Sequence, residues 1–134
     1  MPKTFKQMTD EAMTEVRGIS PQEAFARQQA EPNALLINVL DLPGRRALGE
    51  PQGSVPIPGN MLPFRADHDV PERHQDARLQ NRDRPIMVVC GGGPLSAISA
   101  QALKEMGFSD ITYVAGGTRG WQAAGLPMQP ATEE

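Results

Sequence analysis

The one cysteine of the 134-residue sequence, Cys90, stands between an apolar run and a glycine-rich loop. The run is Pro85-Ile86-Met87-Val88-Val89, and the loop is Gly91-Gly92-Gly93-Pro94, with a helical pattern from Leu95 onward. This order predicts a thiol at the end of a buried strand, surrounded by backbone N–H groups and facing a helix N-terminus. Such surroundings favour the thiolate, which is the nucleophilic form of cysteine.

The glycine run after Cys90 predicts a loop that binds anions. Successive glycines let the backbone curl tightly, so that several N–H groups point toward one centre, and such nests bind oxyanions and sulfur anions. The chemistry that fits is nucleophilic: a thiolate attacks, and the loop stabilises the anionic product. An inert buried cysteine beside a flexible glycine turn fits the local pattern equally well, so both interpretations stay open at this point.

Apolar runs and the helical patterns after them predict the framework that positions Cys90. The runs are typical of buried parallel strands and cover residues 34–40, 86–89 and 111–114. A helical apolar face from Leu95, ended by Gly107, follows the second run, and a short helix through Trp121 follows the third. Alternating strands and helices indicate an α/β fold with a central, mainly parallel sheet and helices on its faces. Ligands of such sheets bind beyond the carboxyl ends of the strands, where Cys90 lies in the chain.

The N-terminal region contains two helical patterns. Apolar residues at helical spacing over residues 4–17 predict a short amphipathic helix ended by Gly18: Phe5, Met8, Ala12 and Val16. We expect residues 1–17 to be an extension that packs on the core, with a dimer contact as the alternative. Ser20-Pro21-Gln22-Glu23 is a capping box with proline at the first helical position, so a second helix is expected to run to about Gln29.

The middle of the chain is less regular. Closely spaced turn-forming residues predict an irregular loop over one sheet edge for residues 41–63. A short helix near residues 74–79, with loops on either side, is expected in the polar stretch that follows. On this organisation the main domain covers residues 18–128, and residues 129–134 are a C-terminal tail.

Composition and charge exclude several classes of protein. The net charge is −3 and hydrophobic residues make up 39% of the chain, which fits one globular domain. No basic block or run of aromatic residues occurs, which argues against a nucleic-acid binder. No apolar stretch approaches the roughly 20 residues of a membrane span, and residues 1–17 lack an apolar signal core. A single cysteine excludes an intramolecular disulfide and a cysteine-based metal cluster, and we expect the protein to be cytoplasmic, where a lone thiol stays reduced.

Motifs in both halves of the chain are similar to those of one known family. The segments that carry the similarity are, in chain order, Leu36-Ile37-Asn38-Val39, Ile57-Pro58-Gly59-Asn60, the strand that ends in Cys90, Ser96-Ala97, Met106-Gly107-Phe108, Ile111-Thr112-Tyr113-Val114-Ala115-Gly116-Gly117, Trp121 and Ala124-Gly125-Leu126-Pro127. Each segment alone is a weak signal, but their order and spacing together are specific. Over roughly residues 18–128, the sequence resembles a rhodanese domain.

The resemblance implies a rhodanese-like three-layer fold and a sulfur-transfer reaction. In the family, a cysteine takes a sulfane sulfur from a donor such as thiosulfate, becomes a persulfide and passes that sulfur to a nucleophilic acceptor. Cys90 would be this nucleophile, and the loop residues that would offer N–H groups to the substrate are Gly91, Gly92, Gly93, Leu95 and Ser96. No metal or organic cofactor is implied. The expected partners are a small sulfur-donor anion or a persulfide and a possible protein sulfur acceptor, and the expected assembly is a monomer or a homodimer.

The loop departs from the family pattern in its charge. Active members often carry arginine directly after the cysteine and arginine or threonine four residues later, where this chain has Gly91 and Leu95. The loop therefore has no cation for thiosulfate, and a less charged pocket favours a persulfide on a small thiol or a protein. Arg119 is either a surface residue or the source of a replacement charge, and Arg45 and Arg46 are further candidates for that role.

Other functions remain as alternatives. A rhodanese-fold binding or regulatory module with little or no turnover is the main one, and the missing loop arginines support it. A related cysteine phosphatase would need arginine six residues after Cys90, where Ser96 stands. His68 and His74 match no metal-binding spacing, so a metal site there is not expected, although a dyad of one histidine with Cys90 stays open.

Overall fold

A parallel sheet of five strands lies at the centre of the computed structural model, which describes residues 2–133. In chain order the strands are β1 (Arg17–Ile19), β2 (Leu35–Asn38), β3 (Glu50–Pro51), β4 (Val55–Pro56), β5 (Ile86–Val89), β6 (Ile111–Val114) and β7 (Met128–Gln129). The order across the central sheet is β1-β6-β5-β2-β4, and β3 pairs with β7 in a separate antiparallel ribbon. The predicted central parallel sheet is confirmed, and β5 and β6 have the predicted bounds.

Helices lie between the strands along the chain. They are α1 (Phe5–Glu15), α2 (Pro21–Ala30), α3 (Leu42–Leu48), α4 (Leu62–Ala66), α5 (Pro94–Glu105) and α6 (Gly117–Ala123), with 3₁₀ turns at Glu72–His74 and Ala77–Leu79. The helix predicted after β5 ends as expected near Gly107, whose φ of 99° is the left-handed conformation that glycine adopts readily. No helix within residues 2–133 combines the length and the apolar character needed to cross a membrane.

Both faces of the sheet are covered, because successive strand residues alternate between two hydrophobic clusters. Ile37 and Val88 belong to the cluster that includes the buried side of α5, whereas Leu36 and Met87 belong to the cluster that contains Trp121 of α6. Every residue of β2 and β5 is buried, as expected for central strands packed on two sides. This arrangement is the three-layer α/β fold that the resemblance implied.

Helix α1 packs against α5 through a narrower face than its apolar pattern predicted. Thr9 and Ala12 are its buried residues, whereas Phe5 and Met8 are 56% and 46% exposed. The expectation that Gly18 ends this helix is wrong, because α1 stops at Glu15 and Gly18 lies inside β1. A Cβ at Gly18 would lie 2.7 Å from the Tyr113 ring on the neighbouring strand, so glycine makes room for that ring.

The second helix forms where the capping box placed it. The Ser20 hydroxyl accepts the N–H of Glu23 at 3.0 Å, and the Glu23 carboxylate accepts the N–H of Ser20 at 3.1 Å. These contacts satisfy N–H groups that have no partner within the first turn. Helix α2 then continues to Ala30, one residue beyond the predicted end.

Residues 41–63 are more regular than the predicted loop. Asp41 caps α3 by accepting the N–H of Gly44 at 2.8 Å, and Pro43 sits in the first turn, where its missing N–H costs no hydrogen bond. Strand β4 pairs with β2 and forms one edge of the central sheet. The prediction of an irregular loop was wrong because its turn-forming residues cap and begin a helix.

The short helix predicted near residues 74–79 is only a 3₁₀ turn, at Ala77–Leu79. A second 3₁₀ turn, Glu72–His74, precedes it, and the α-helix of this region, α4, lies earlier, at Leu62–Ala66. The Asp76 side chain accepts the N–H of Arg78 at 2.9 Å and caps the second turn. Such a local side-chain bond gives the backbone an alternative to a continuous helix.

Buried charges attach the C-terminal residues to the domain. The Arg45 and Glu50 side chains are 2% and 0% exposed and form an ion pair of 3.3 Å. Arg45 also donates to the Thr132 carbonyl oxygen, while Glu50 accepts from the side chains of Gln129 and Thr132. Residues 128–133 therefore pack along α3 and β3 through specific polar contacts.

Candidate functional site

Cys90 directly follows β5, at the carboxyl edge of the central sheet. Val89 is aligned with Asn38 of β2, so the strands flanking the site end level with each other. Cys90 is 2% exposed, and its Sγ accepts the N–H of Gly93 at 3.2 Å. This N–H places the positive end of a backbone dipole next to the sulfur without adding a charged side chain.

The loop after Cys90 is held by the start of α6. The N–H of Thr118 donates to the Cys90 carbonyl oxygen at 2.7 Å, and the N–H of Arg119 donates to the Gly91 carbonyl oxygen at 3.1 Å. A Cβ at Gly117 would lie 2.6 Å from each of these oxygens, and its φ is 62°. Glycine is therefore required at position 117 for the two segments to approach this closely.

Gly93 is restrained by a second contact within the loop. The buried Ser96 hydroxyl, in the first turn of α5, donates to the Gly93 carbonyl oxygen at 2.6 Å. Gly93 has a φ of 120°, and a Cβ there would lie 3.0 Å from the Gly116 nitrogen. The N–H that contacts Cys90 Sγ therefore belongs to a residue fixed by its conformation, by Ser96 and by the neighbouring chain.

The structure brings most of the predicted loop residues together around Cys90, in different roles. Gly93 is the residue whose N–H contacts Sγ, and among the described residues no such bond joins Sγ to Gly91, Gly92 or Leu95. Gly92 is exposed, and a Cβ added there would meet no atom within 4 Å, so it marks the open side of the loop. The Ser96 hydroxyl donates a hydrogen bond to the loop backbone, at the Gly93 carbonyl oxygen. The substrate contacts expected of all these residues stay predictions.

The arginines considered as replacement charges do not contact the loop through their side chains. Arg119 is exposed, and in the described part of the chain its guanidinium has no hydrogen bond or ion pair. Arg45 is buried against Glu50, and Arg46 pairs with Glu133 at 2.7 Å. The expectation that Arg45 or Arg46 supplies charge to the site is therefore wrong, because carboxylates elsewhere hold both guanidinium groups.

Two grooves border the Cys90 loop. One, here called the Leu95 groove, has a volume of about 440 Å³ and is lined by Val39, Leu40, Asp41, Pro58, Gly59, Asn60, Leu95, Ile98 and Ser99. The other, of about 300 Å³, is lined by Met13, Gly92, Gly93, Pro94, Tyr113, Ala115 and Gly116. A further cavity of about 440 Å³, around Phe64 and His74, contains no residue of the loop. The sequence patterns predicted neither groove, although the Ile57-Pro58-Gly59 motif indicated a turn that forms one wall.

The histidines do not form a dyad with Cys90. His68 is exposed, and the His74 ring packs against Phe64 with centroids 5.3 Å apart. Within residues 2–133 no group of three or more His, Cys, Asp or Glu side chains lies close enough together to hold a metal ion. The reactive group that the geometry offers at this site is the Cys90 thiol, with the N–H of Gly93 directed at its sulfur.

Comparisons with curated proteins identify relatives that cover most of the chain. A thiosulfate sulfurtransferase GlpE from Actinobacillus succinogenes is 34% identical over 114 residues, which are 84% of this chain and 90% of that protein. A second protein of that name, from Glaesserella parasuis, is 31% identical over 90% of this chain and 96% of its own length. Both relatives are therefore matched almost from end to end.

Solved structures with the same fold include proteins of different description. A protein of unknown function from Rhodopseudomonas palustris, described as a possible tyrosine phosphatase, is 26% identical with a TM-score of 0.86 and covers 96% of this chain and 99% of that one. A polysulfide-sulfur transferase homodimer from Wolinella succinogenes is 25% identical with a TM-score of 0.75, over 97% of this chain and 90% of that one. The sequence model of the rhodanese-like domain matches residues 2–124. The fold, these relatives and that match agree, and the chain belongs to the rhodanese-like domain family.

Proposed function

We propose that the protein is a sulfurtransferase that carries a sulfane sulfur as a Cys90 persulfide. The observation that carries the proposal is the contact between Cys90 Sγ and the N–H of Gly93, at the carboxyl edge of the sheet. The relatives named thiosulfate sulfurtransferase support it. A cytoplasmic location is part of the proposal, because a lone thiol stays reduced there.

The reaction needs two displacements at sulfur. In the first, the Cys90 thiolate attacks the outer sulfur of the donor and forms a new S–S bond. The bond that held this sulfur in the donor breaks, and its electron pair leaves with the remainder, as sulfite from thiosulfate or as a thiolate from an organic persulfide. In the second, a nucleophilic acceptor attacks the outer sulfur, and the electron pair of the breaking S–S bond returns to Cys90 as thiolate.

The loop stabilises the charged states of this cycle. Both the thiolate and the persulfide are anions, and N–H groups fixed in advance stabilise such charge without having to reorganise. Gly93 supplies one N–H to the sulfur, while Ser96 and the start of α6 donate hydrogen bonds to the loop carbonyl oxygens. The exposed Gly92 provides the side from which a donor approaches.

Phosphatase chemistry is disfavoured by the same geometry. Related phosphatases would carry arginine six residues after Cys90, and this chain has Ser96 there, with its hydroxyl hydrogen-bonded to Gly93. No guanidinium is then available from the loop to hold a phosphate in two-pronged contact. A binding or regulatory module without turnover is the remaining alternative, and the absence of loop cations favours it over a phosphatase.

Mass spectrometry of the intact protein tests the proposal directly. We expect incubation with thiosulfate, glutathione persulfide or polysulfide to add one sulfur atom, and a thiol acceptor or cyanide to remove it. Because Cys90 is the only cysteine, any thiol adduct is assigned without digestion. The control is Cys90→Ser, which keeps the size of the side chain and removes the nucleophile. Failure of all these donors to modify the wild type would contradict sulfur transfer and favour the binding module.

A further inference from the structure

The Leu95 groove reaches the Cys90 loop through apolar side chains. A Cβ at Gly91 would lie 3.8 Å from Leu40, so this groove residue adjoins the first residue of the loop. Leu95 directly follows Pro94 of the loop and is 44% exposed, so an apolar surface faces solvent at the end of the loop. Ile98 extends the same wall along α5. An apolar surface in this place is buried by whatever occupies the groove.

The charges of the groove disfavour an inorganic dianion. Among the described residues that line it, Asp41 is the charged one, and it is acidic. The loop itself contains no lysine or arginine between Cys90 and Ser96. A doubly charged oxyanion would meet a carboxylate and hydrocarbon where a cation is needed, and a charge without a partner is costly to remove from water.

An organic sulfane-sulfur donor differs from an inorganic dianion because one end of the molecule is charged and the other end is hydrocarbon. In a persulfide or thiosulfonate the transferred sulfur is bonded to a second sulfur atom that bears a hydrocarbon group, and the transferred sulfur carries much of the negative charge. The sulfur end would enter the loop, where the Gly93 N–H is directed, and the hydrocarbon end would lie on Leu40, Leu95 and Ile98. Both ends of such a molecule are matched by the surface they would contact.

We infer that the Leu95 groove binds the hydrocarbon part of an organic sulfane-sulfur donor, an inference that rests on the proposed function and narrows its substrate class. Leu95 is then a specificity residue: its side chain selects the donor, while its backbone belongs to the loop. The groove volume of about 440 Å³ accommodates a group of the size of a phenyl or short alkyl chain.

The test compares two thiosulfonates that deliver sulfur by the same bond cleavage. Methanethiosulfonate and benzenethiosulfonate each transfer their terminal sulfur and leave a sulfinate, but they differ in the hydrocarbon that would fill the groove. The rate of Cys90 persulfide formation is measured with each donor, and the ratio of the benzenethiosulfonate rate to the methanethiosulfonate rate is compared between variants. Using this ratio removes differences in intrinsic reactivity between the donors. We expect Leu95→Ser to lower the ratio by about threefold to tenfold, as loss of part of a leucine contact implies.

The control is Met8→Ser, which removes an apolar side chain of similar exposure on α1 that does not line the groove. We expect this variant to keep the wild-type ratio. A ratio that changes by less than about twofold in Leu95→Ser overturns the inference. So does an equal fall in Met8→Ser, because the effect would then not be specific to the groove.

A binding measurement separates this inference from the proposed function. Titration of ¹⁵N-labelled wild type with benzenesulfinate, which has no sulfur to transfer, should shift the amides of Gly59, Leu95 and Ile98, and methanesulfinate should shift them less. If no donor modifies Cys90 but these shifts appear, the proposed function fails and the groove assignment stands. If Cys90 is modified and these amides do not respond, the groove assignment fails and sulfur transfer stands.

Discussion

The backbone amide of Thr118 donates a hydrogen bond of 2.7 Å to the carbonyl oxygen of Cys90. This bond joins Cys90 to the start of α6, which packs on the face of the sheet opposite to α5. The next amide of the same turn, that of Arg119, binds the Gly91 carbonyl oxygen. The first turn of α6 therefore holds the Cys90 loop by its carbonyl oxygens, while the N–H of Gly93 contacts the sulfur.

The close approach of α6 to the loop makes Gly117→Ala a severe substitution. An added methyl group would lie 2.6 Å from the carbonyl oxygens of Cys90 and Gly91, at a φ of 62°. We expect the free energy of unfolding, measured with urea, to fall by about 3 kcal/mol or more, since steric overlap adds to backbone strain. Persulfide formation on Cys90 should fall as well, because the loop has to move.

Gly125→Ala is the matched control for that variant. Gly125 has a φ of 74°, and no atom lies within 4 Å of the position of an added Cβ. This variant carries the left-handed strain alone, so we expect a loss of about 1–2 kcal/mol and an unchanged rate of persulfide formation. Equal losses in the two variants would show that overlap with the loop carbonyls contributes nothing.

A cation at position 95 should change the choice of sulfur donor. Leu95→Arg places a guanidinium on an exposed position beside the loop, and such a group binds oxyanions through charge-assisted contacts. We expect the rate of Cys90 persulfide formation from thiosulfate to rise by about tenfold, and the rate from benzenethiosulfonate to fall. Mass spectrometry at a series of reaction times measures both.

Met8→Arg controls for the general effect of one more positive charge. Met8 is exposed on α1 and lines neither groove beside the loop. This variant should react with thiosulfate at the wild-type rate at physiological salt, because exposed charges are screened over about 8 Å. A rise equal to that of Leu95→Arg would indicate long-range attraction of the anion instead of a contact at the loop.

Local patterns made part of this site predictable. Cys90 ends an apolar run and precedes three glycines, and both signals involve neighbouring residues, so the strand and the loop follow from short-range rules. The Ser20 capping box is equally local. By contrast, Pro43 and Gly44 fit a turn by the same short-range rules, although in the structure they lie in the first helical turn after Asp41.

Contacts between distant segments were not predictable from those patterns. The amide of Thr118 carries no signal that it will bind Cys90, because backbone groups are the same in every residue. The sequence makes Arg45 a candidate for the site because this residue lies on the connection after β2. Only the folded structure shows that Glu50 and Thr132 bind its guanidinium. Leu95 matches the apolar face predicted for α5 yet is exposed, whereas Ser96 and Ala97 in the same turn are fully buried, so the first turn packs through a different face.

The buried pair of Arg45 and Glu50 should dominate the stability of the C-terminal attachment. Glu50→Ala would leave the Arg45 guanidinium buried without its carboxylate and would also remove the acceptor for Gln129 and Thr132. We expect the free energy of unfolding to fall by about 3–5 kcal/mol, as when one partner of a buried ion pair is lost. Urea denaturation followed by Trp121 fluorescence measures it.

Glu133→Ala removes the partner of a neighbouring arginine and serves as the comparison. Arg46 and Glu133 form an ion pair of 2.7 Å, but both side chains are largely exposed. Water and salt weaken such pairs, so we expect a change within about 0.5 kcal/mol. If the free energy of unfolding fell as much as in Glu50→Ala, loss of the contacts of the C-terminal tail, and not burial of an unpaired charge, would explain both results.

Asp76 should make stability depend on pH in the acid range. The side-chain hydrogen bond from Arg78 lowers the pKa of Asp76 below its ordinary value of 3.8, although burial acts in the opposite direction. A carboxyl with a lowered pKa in the folded state stabilises the fold above its unfolded pKa, and this stabilisation is lost as the pH falls through the folded pKa. Asp76→Asn should therefore unfold more easily than wild type at neutral pH, and the difference should shrink on acidification below about pH 4. A constant difference between wild type and Asp76→Asn across that range would refute the assignment to Asp76.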